Sequence, residues 1–338
     1  MNTLKEQYEL LLQPSQALLA DISKIEGDIM ILGAGGKMGP SLAKLAKAAV
    51  EKAGLNKKII AVSRFSEDQV VQELHTSGIE TITADLLNEA DLQGLPEVPN
   101  ILYLAGTKFG TQGNESFTWA MNSYLPGRIA EKFKNSKIVV FSTGNVYPLT
   151  SVLRGGATEN TPTEPLGEYA QSCLGRERIF EYSSKRYHTP VLIYRLNYAN
   201  DVSYGVLLEL AKSVIAEKPI DLSMGNVNLI WQGDANEIAI RSLLHCASPA
   251  KTVNITGPEL LSVRWIAEQF GQMAGKVPVF VNSEQPTALL SNATECTDLF
   301  GYPGTGPKRM MRLIYQWIAQ GGATIDKKTH FQEREGKY

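Results

Sequence analysis

The stretch Asp28-Ile-Met-Ile-Leu-Gly-Ala-Gly-Gly-Lys-Met-Gly39 constrains this chain more than any other. Its apolar run, Ile29 to Leu32, reads as a short strand buried on both faces. Glycines follow at 33, 35, 36 and 39, and Ser41 to Val50 then carries apolar residues at helical spacing among strong helix formers. Strand, glycine turn and helix in that order make a phosphate cradle. Glycine lets the backbone approach a pyrophosphate, and the helix N-terminus offers free N–H groups and the positive end of its dipole. The spacing G-x-G-x-x-G would need glycine at 38, where Met38 stands. G-x-x-G-x-x-G fits instead, at Gly33, Gly36 and Gly39, with Lys37 and Met38 inside the loop. A nucleotide site is expected there.

Charge and cysteine usage remove whole classes. A net charge of −2, with no basic patch, gives no nucleic-acid surface. Cys173, Cys246 and Cys296 are widely spaced and form no C-x-x-C pair, and the histidines are equally scattered, so no metal site is expected. No run reaches membrane-spanning length, and the N-terminus lacks a basic region followed by an apolar core. The expectation is a cytoplasmic protein that meets no membrane.

Taken in order, residues 2–24 predict two short amphipathic helices broken at Pro14. Lys58 to Ser63 predicts a second strand. It ends in Ser63-Arg64, where an acidic residue would bind an adenosine ribose 2′-hydroxyl. An arginine suits a 2′-phosphate, so NADP is favoured over NAD. Ser66-Glu-Asp-Gln69 reads as a capping box opening the next helix. Glu80–Ala84, Asn100–Ala105 and Lys137–Phe141 predict strands three to five, followed by Asp85-Leu86, Gly106 and Ser142; a helix over about 115–134 carries Asn122. This alternation predicts an α/β fold, a doubly wound parallel sheet with right-handed crossovers. Ligands in such sheets bind beyond the carboxyl ends of the strands.

The chemistry follows strand five. Ser142 and Thr143 place two hydroxyls at a strand's carboxyl end, and a polar loop leads to a helix that opens with Glu168-Tyr169. A hydroxyl that orients a substrate oxygen and a tyrosine that moves its proton are what carbonyl–alcohol hydride transfer needs.

The glycine triplet, Asp85-Leu86, Ala105-Gly106, Asn122, Ser142-Thr143…Val146-Tyr147 and Pro165-Leu-Gly-Glu-Tyr169 together resemble the extended short-chain dehydrogenase/reductase family. That family holds the sugar-nucleotide epimerases, dehydratases and reductases. The resemblance runs in order from about 27 to 320. It implies a Rossmann-type domain over 26–198 that the chain rejoins around 228–258, with 199–227 and 259–325 forming a smaller C-terminal substrate-binding region. Residues 1–25 are then a helical extension and 326–338 a solvated polar tail. By resemblance, Thr143 and Tyr169 are catalytic, with Ser142 beside them. Gly33, Gly36, Lys37, Met38, Gly39, Arg64, Asp85, Leu86, Ala105, Gly106, Asn122 and Cys173 meet the cofactor, NADP or NAD. Lys108, Asn145, Asn197 and Tyr198 meet a sugar or sugar-nucleotide substrate. Helices near 115–134 and 164–187 would form a homodimer interface.

Two departures matter. The family follows its tyrosine with a lysine four residues on; here the pattern is Tyr169-x-x-x-Cys173. That lysine binds the nicotinamide ribose and lowers the tyrosine pKa, and a free tyrosine titrates near about 10. Arg176, seven residues after Tyr169 on the same helical face, and Lys108 are the candidates to supply charge. Cys173 itself reads as a small residue lining the cofactor pocket. The second departure is Gly144-Asn145 where the dehydratases carry Asp-Glu, which argues against dehydration. Two readings stand: an NAD(P)-dependent oxidoreductase or epimerase, and an NAD(P)-binding sensor or scaffold with little or no catalysis.

Overall fold

The computed structural model describes residues 3–108, 110–325 and 329–337. Seven parallel strands form its central sheet: β1 (Ile29–Leu32), β2 (Ile59–Ser63), β3 (Glu80–Thr83), β4 (Asn100–Tyr103), β5 (Lys137–Thr143), β6 (Val191–Leu196) and β7 (Lys251–Ile255). Their order is β7-β6-β5-β4-β1-β2-β3. All four residues of β1 and β4 are buried, as a strand covered by helices on both faces must be. The chain winds outward in one direction from β1 and in the other from β4, so the strand order reverses between them. Crevices open at such reversals. The glycine loop sits at this one.

Helices cover both faces. They are α1 (Leu4–Leu10), α2 (Gln16–Ile22), α3 (Gly39–Lys52), α4 (Asp68–Thr76), α5 (Glu89–Gly94), α6 (Glu115–Trp119), α7 (Leu125–Lys132), α8 (Gly167–Tyr187), α9 (Val206–Ile215), α10 (Gln232–Arg241), α11 (Val263–Ala274), α12 (Thr294–Phe300) and α13 (Pro307–Ala319). One core layer joins Ile29, Ile31 and Val139 to Leu42 and Ala46 of α3, Leu18 and Ile22 of α2, and Ile238 of α10. Met30, Leu32 and Ile101 point the other way, onto Leu125, Ile129 and Phe180. The alternation follows from the two-residue period of a strand. A third cluster, built by α9, α11 and α13 around Leu207, Phe270 and Ile314, makes the C-terminal lobe. Tyr8 of α1 ties the extension to it, packing on Trp231 and Trp317 and donating to Asp201 at 3.0 Å.

Two expectations are corrected. No capping box opens α4: its N-cap is Glu67, without a side-chain hydrogen bond. The helix starts one residue late for Ser66 to cap it, and the extended N-cap backbone belongs to Glu67, with φ −130° and ψ 115°. Nor is the end of the chain a solvated tail. Asp326–Lys328 and Tyr338 lie outside the described residues, but 329–337 form a strap over the sheet's carboxyl side. Phe331 is buried in the C-terminal core, the Thr329 amide and hydroxyl donate to Glu209, and Arg334 donates to the carbonyls of Ser223 and Thr287 at 3.0 and 2.8 Å. Burial of one phenylalanine outweighs the polar composition around it.

Candidate active site

The three spaced glycines do three jobs. Gly33 has a φ of 91°, and a Cβ there would stand 2.6 Å from the Ala105 amide, so β4 can close on the loop only if residue 33 has no side chain. At Gly39 a Cβ would lie 2.2 Å from the Ala34 carbonyl oxygen, which lets α3 pack directly on the turn. Gly36 is different. Its Cβ position meets only the Gly33 carbonyl, at 3.5 Å, so its backbone stays open to an approaching group. No side chain caps α3, leaving its first-turn N–H groups without a side-chain acceptor. Close helix packing, a bare approach side and uncapped donors together fit a dinucleotide pyrophosphate.

The loop forms one wall of a cavity of about 540 Å³. Gly33, Gly36, Lys37, Met38 and Gly39 line that wall; Gly106 and Lys108 follow β4; Ser142, Thr143 and Asn145 follow β5. Tyr169 faces them from α8, and Asn197 and Tyr198 close the side beyond β6. The sequence thus placed thirteen of its candidates in one cavity. Thr107, Tyr204 and the strap's Thr329 also line it and were not anticipated, and Leu104, Phe141, Leu196 and Ala199 make up the rest. A larger cavity, about 640 Å³, lies outside α3 between Tyr8, Lys44 and Asp201, and contains neither Thr143 nor Tyr169.

Six candidates stand elsewhere. Arg64 is exposed on the loop after β2. The Asp85 carboxylate accepts from the Leu87 amide at 3.0 Å, and Leu86 and Ala105 are buried in the core. Asn122 does not line the cavity but fixes one of its loops. Pro126 cannot donate to the Asn122 carbonyl four residues back, the helix widens, and the Leu125 amide reaches the Ala120 carbonyl. From this π turn the Asn122 side chain accepts from the Thr107 amide at 3.0 Å and donates to its carbonyl at 2.8 Å. Cys173 lies beneath the cavity, 1% exposed, packed with Val146, Tyr147 and Ala157, and does not line it.

The hydroxyl–tyrosine pair is assembled. Thr143 Oγ1 accepts from the Asn145 amide at 3.1 Å and donates to its Oδ1 at 2.9 Å. The Tyr169 hydroxyl sits by the side chains of Thr143 and Cys173, and both bear on its ionisation. Burial pushes the Tyr169 phenol well above its ordinary value; Cys173 adds to the rise, and the Arg176 charge opposes it. Burial also raises the Cys173 thiol. Ser142 takes a different place: its hydroxyl donates to Glu177, so Thr143 is the hydroxyl turned to Tyr169.

Two consecutive residues of α8 pin that helix to the end of β5, and neither pairing was read from sequence. Arg176 donates to the Phe141 carbonyl at 2.7 Å and to Asn122 Oδ1 at 2.6 Å. A Cβ on Gly106 would fall 2.3 Å from its guanidinium, so residue 106 must be glycine. Glu177 forms a fork with Arg195 of β6, at 2.9 and 2.6 Å, and Arg195 also donates to the Tyr147 hydroxyl at 2.6 Å. Among the described residues no cluster of His, Cys, Asp and Glu could hold a metal ion, and no helix is long and apolar enough to cross a membrane.

Solved structures share this fold. The UDP-glucuronic acid 4-epimerase of Bacillus cereus in complex with NAD is 19% identical, with a TM-score of 0.68 over 87% of this chain and 99% of that one. An epimerase of Methanothermobacter thermautotrophicus is 15% identical at a TM-score of 0.73, over 90% and 96%. The UDP-glucose 4-epimerase of Thermotoga maritima with UDP-glucose is 13% identical at 0.68, over 87% and 99%. No curated protein matches the sequence significantly. Residues 29–209, more than half of the chain, match the family model of NAD dependent epimerases and dehydratases, from the strand of the cradle past the Thr143–Tyr169 pair. Sequence match, cradle geometry and fold agree: the chain belongs to the NAD-dependent epimerase/dehydratase family.

Proposed function

We propose that the protein oxidises and reduces a hydroxyl-bearing carbon of a sugar nucleotide, as an epimerase or reductase. The observation that carries this reading is that Thr143 and Tyr169 line one cavity with the glycine cradle. Thr143 would hold the reacting oxygen, and Tyr169 would take its proton in oxidation and return it in reduction. The bound nicotinamide would supply the hydride acceptor and donor. Proteins of this fold have been solved with UDP-glucose and as UDP-glucuronic acid 4-epimerases, which makes UDP-sugars the first substrates to try. Purified protein incubated with UDP-glucose or UDP-glucuronic acid and either cofactor is expected to yield the 4-epimer, seen by chromatography. Cofactor binding without turnover on any nucleotide sugar overturns the enzyme reading in favour of the sensor or scaffold.

The preference for NADP rests on Arg64, exposed just past the end of β2 with no carboxylate at the strand's last residue. One charge-assisted contact to a 2′-phosphate is worth roughly tenfold or more in affinity. Arg64→Ala is expected to weaken NADP binding by about that factor and leave NAD binding unchanged, as read by calorimetry. Equal losses for both cofactors refute the assignment. A homodimer through α6, α7 and α8 is supported by the aromatic side chains these helices expose: Trp119 at 37%, Tyr124 at 62% and Tyr182 at 59%. Light scattering is expected to give twice the 37.1 kDa chain mass, and a monomer refutes the interface.

A further inference from the structure

The site lacks the lysine that would stand beside its tyrosine, because position 173 holds a buried cysteine. Two cations remain near it. Arg176 extends its field to Tyr169, but its guanidinium is anchored to the Phe141 carbonyl and to Asn122 behind Gly106, outside the cavity lining. Lys108 lies inside. Its Nζ stands 5.5 Å from the centre of the Tyr169 ring and donates to the Thr329 carbonyl at a long 3.4 Å. The loop that presents it is fixed one residue earlier, where Asn122 holds both backbone groups of Thr107.

We propose that Lys108 supplies, from the loop after β4, the positive charge that the family places four residues after its tyrosine. The proposal rests on the catalytic reading of Tyr169 above. Lys108 acts through that residue, favouring the phenolate that accepts the substrate proton. As the substrate O–H proton passes to Tyr169, hydride leaves the same carbon for the oxidised nicotinamide, so the alcohol loses two electrons and two hydrogens in all. A unit charge at about 6 Å, in an effective dielectric of about 20, shifts a titration by about two pKa units, a hundredfold change in phenolate.

The groups facing Lys108 set its pH window. Burial pushes its ammonium down to about 8; Cys173 and Glu209 oppose the shift, and Lys37 of the glycine loop adds to it. Tyr169 and the Thr329 carbonyl also lie against it. A lowered lysine pKa means the charge is present below about 8 and lost as pH rises through that value.

The test combines kinetics with a titration that needs no turnover. Lys108→Met is expected to lower kcat about a hundredfold at pH 7. Wild-type kcat should rise with pH and level off near pH 8, where Lys108 loses its charge, and Lys108→Arg, charged throughout, should go on rising beyond it. Independently, a polyfluorinated tyrosine placed at position 169, chosen so that its phenol ionises below pH 8 while Lys108 is charged, should titrate up to about two units higher in the Lys108→Met background by ultraviolet difference spectroscopy. An unchanged titration overturns the proposal, as does a levelling-off that stays near pH 8 in Lys108→Arg. A shifted titration in a protein that turns over no nucleotide sugar overturns the catalytic reading and leaves the Lys108–Tyr169 coupling standing.

Discussion

Replacing Tyr169 by phenylalanine is expected to lower turnover by about 10² to 10⁴-fold while cofactor affinity stays unchanged. The range is that of a single general acid–base group. Phenylalanine keeps the ring that walls the cavity and removes only the hydroxyl that sits by Thr143 and Cys173. The wall proposed to hold the cofactor, made by the glycine loop and the first turn of α3, is not touched by the substitution. The effect should fall on kcat rather than on binding, since the proton moves only in the chemical step. Burial holds the phenol protonated at neutral pH, so the wild type starts as a proton donor, ready for reduction, and needs nearby charge to act as a base. Stopped-flow measurement of nicotinamide absorbance, with calorimetry of cofactor binding, separates the two. Full turnover in the variant would remove Tyr169 from the mechanism.

The sheet and the cradle were legible because local rules decide them. A strand buried on both faces must be a continuous apolar run, and Ile29–Leu32, Ile101–Tyr103 and Ile138–Phe141 are such runs. The glycine spacing was readable because Gly39 answers to Ala34 in its own turn and Gly33 to a left-handed φ of 91°, although the contact that also demands Gly33 comes from Ala105 beyond β4. Arg176 was read as a charge on the face of Tyr169, but its buried anchors and those of Glu177 were opaque. In Gly175-Arg-Glu-Arg178 the two residues resemble the charged outer face of a helix, yet both are buried. Their partners stand 35 residues away at Phe141 and Ser142, 54 away at Asn122 and 18 away at Arg195. Nothing local announces such pairs. The strap failed for the opposite reason: a polar segment with one phenylalanine reads as solvated until the groove receiving Phe331 is known. Cys173 was placed at the right turn of α8, but a four-residue step alone does not say whether a short side chain reaches the cavity.

Glu177→Gln is expected to destabilise the fold by about 3–5 kcal/mol, the loss typical when one partner of a buried ion pair is removed. Glu177 is fully buried and Arg195 is 4% exposed, so water cannot compensate the charge left behind. The carboxylate serves three donors at once: two N–H groups of Arg195 and the Ser142 hydroxyl. A glutamine amide keeps the size but can accept through one oxygen only, and its NH₂ group faces the guanidinium. The thermal midpoint should fall on the order of 10 °C. The double variant Glu177→Leu, Arg195→Met removes both charges, and it should be more stable than Glu177→Gln because no unpaired ion remains. Additive losses in the double variant would show that packing, rather than charge pairing, holds α8 to β5 and β6. The pair also bears on the chemistry, since Ser142 adjoins Thr143 at the end of β5 and Tyr169 lies two turns before Glu177 on α8. A fold that loosens this joint moves the two halves of the proton-transfer pair apart, so Glu177→Gln should lose kcat well below its melting temperature.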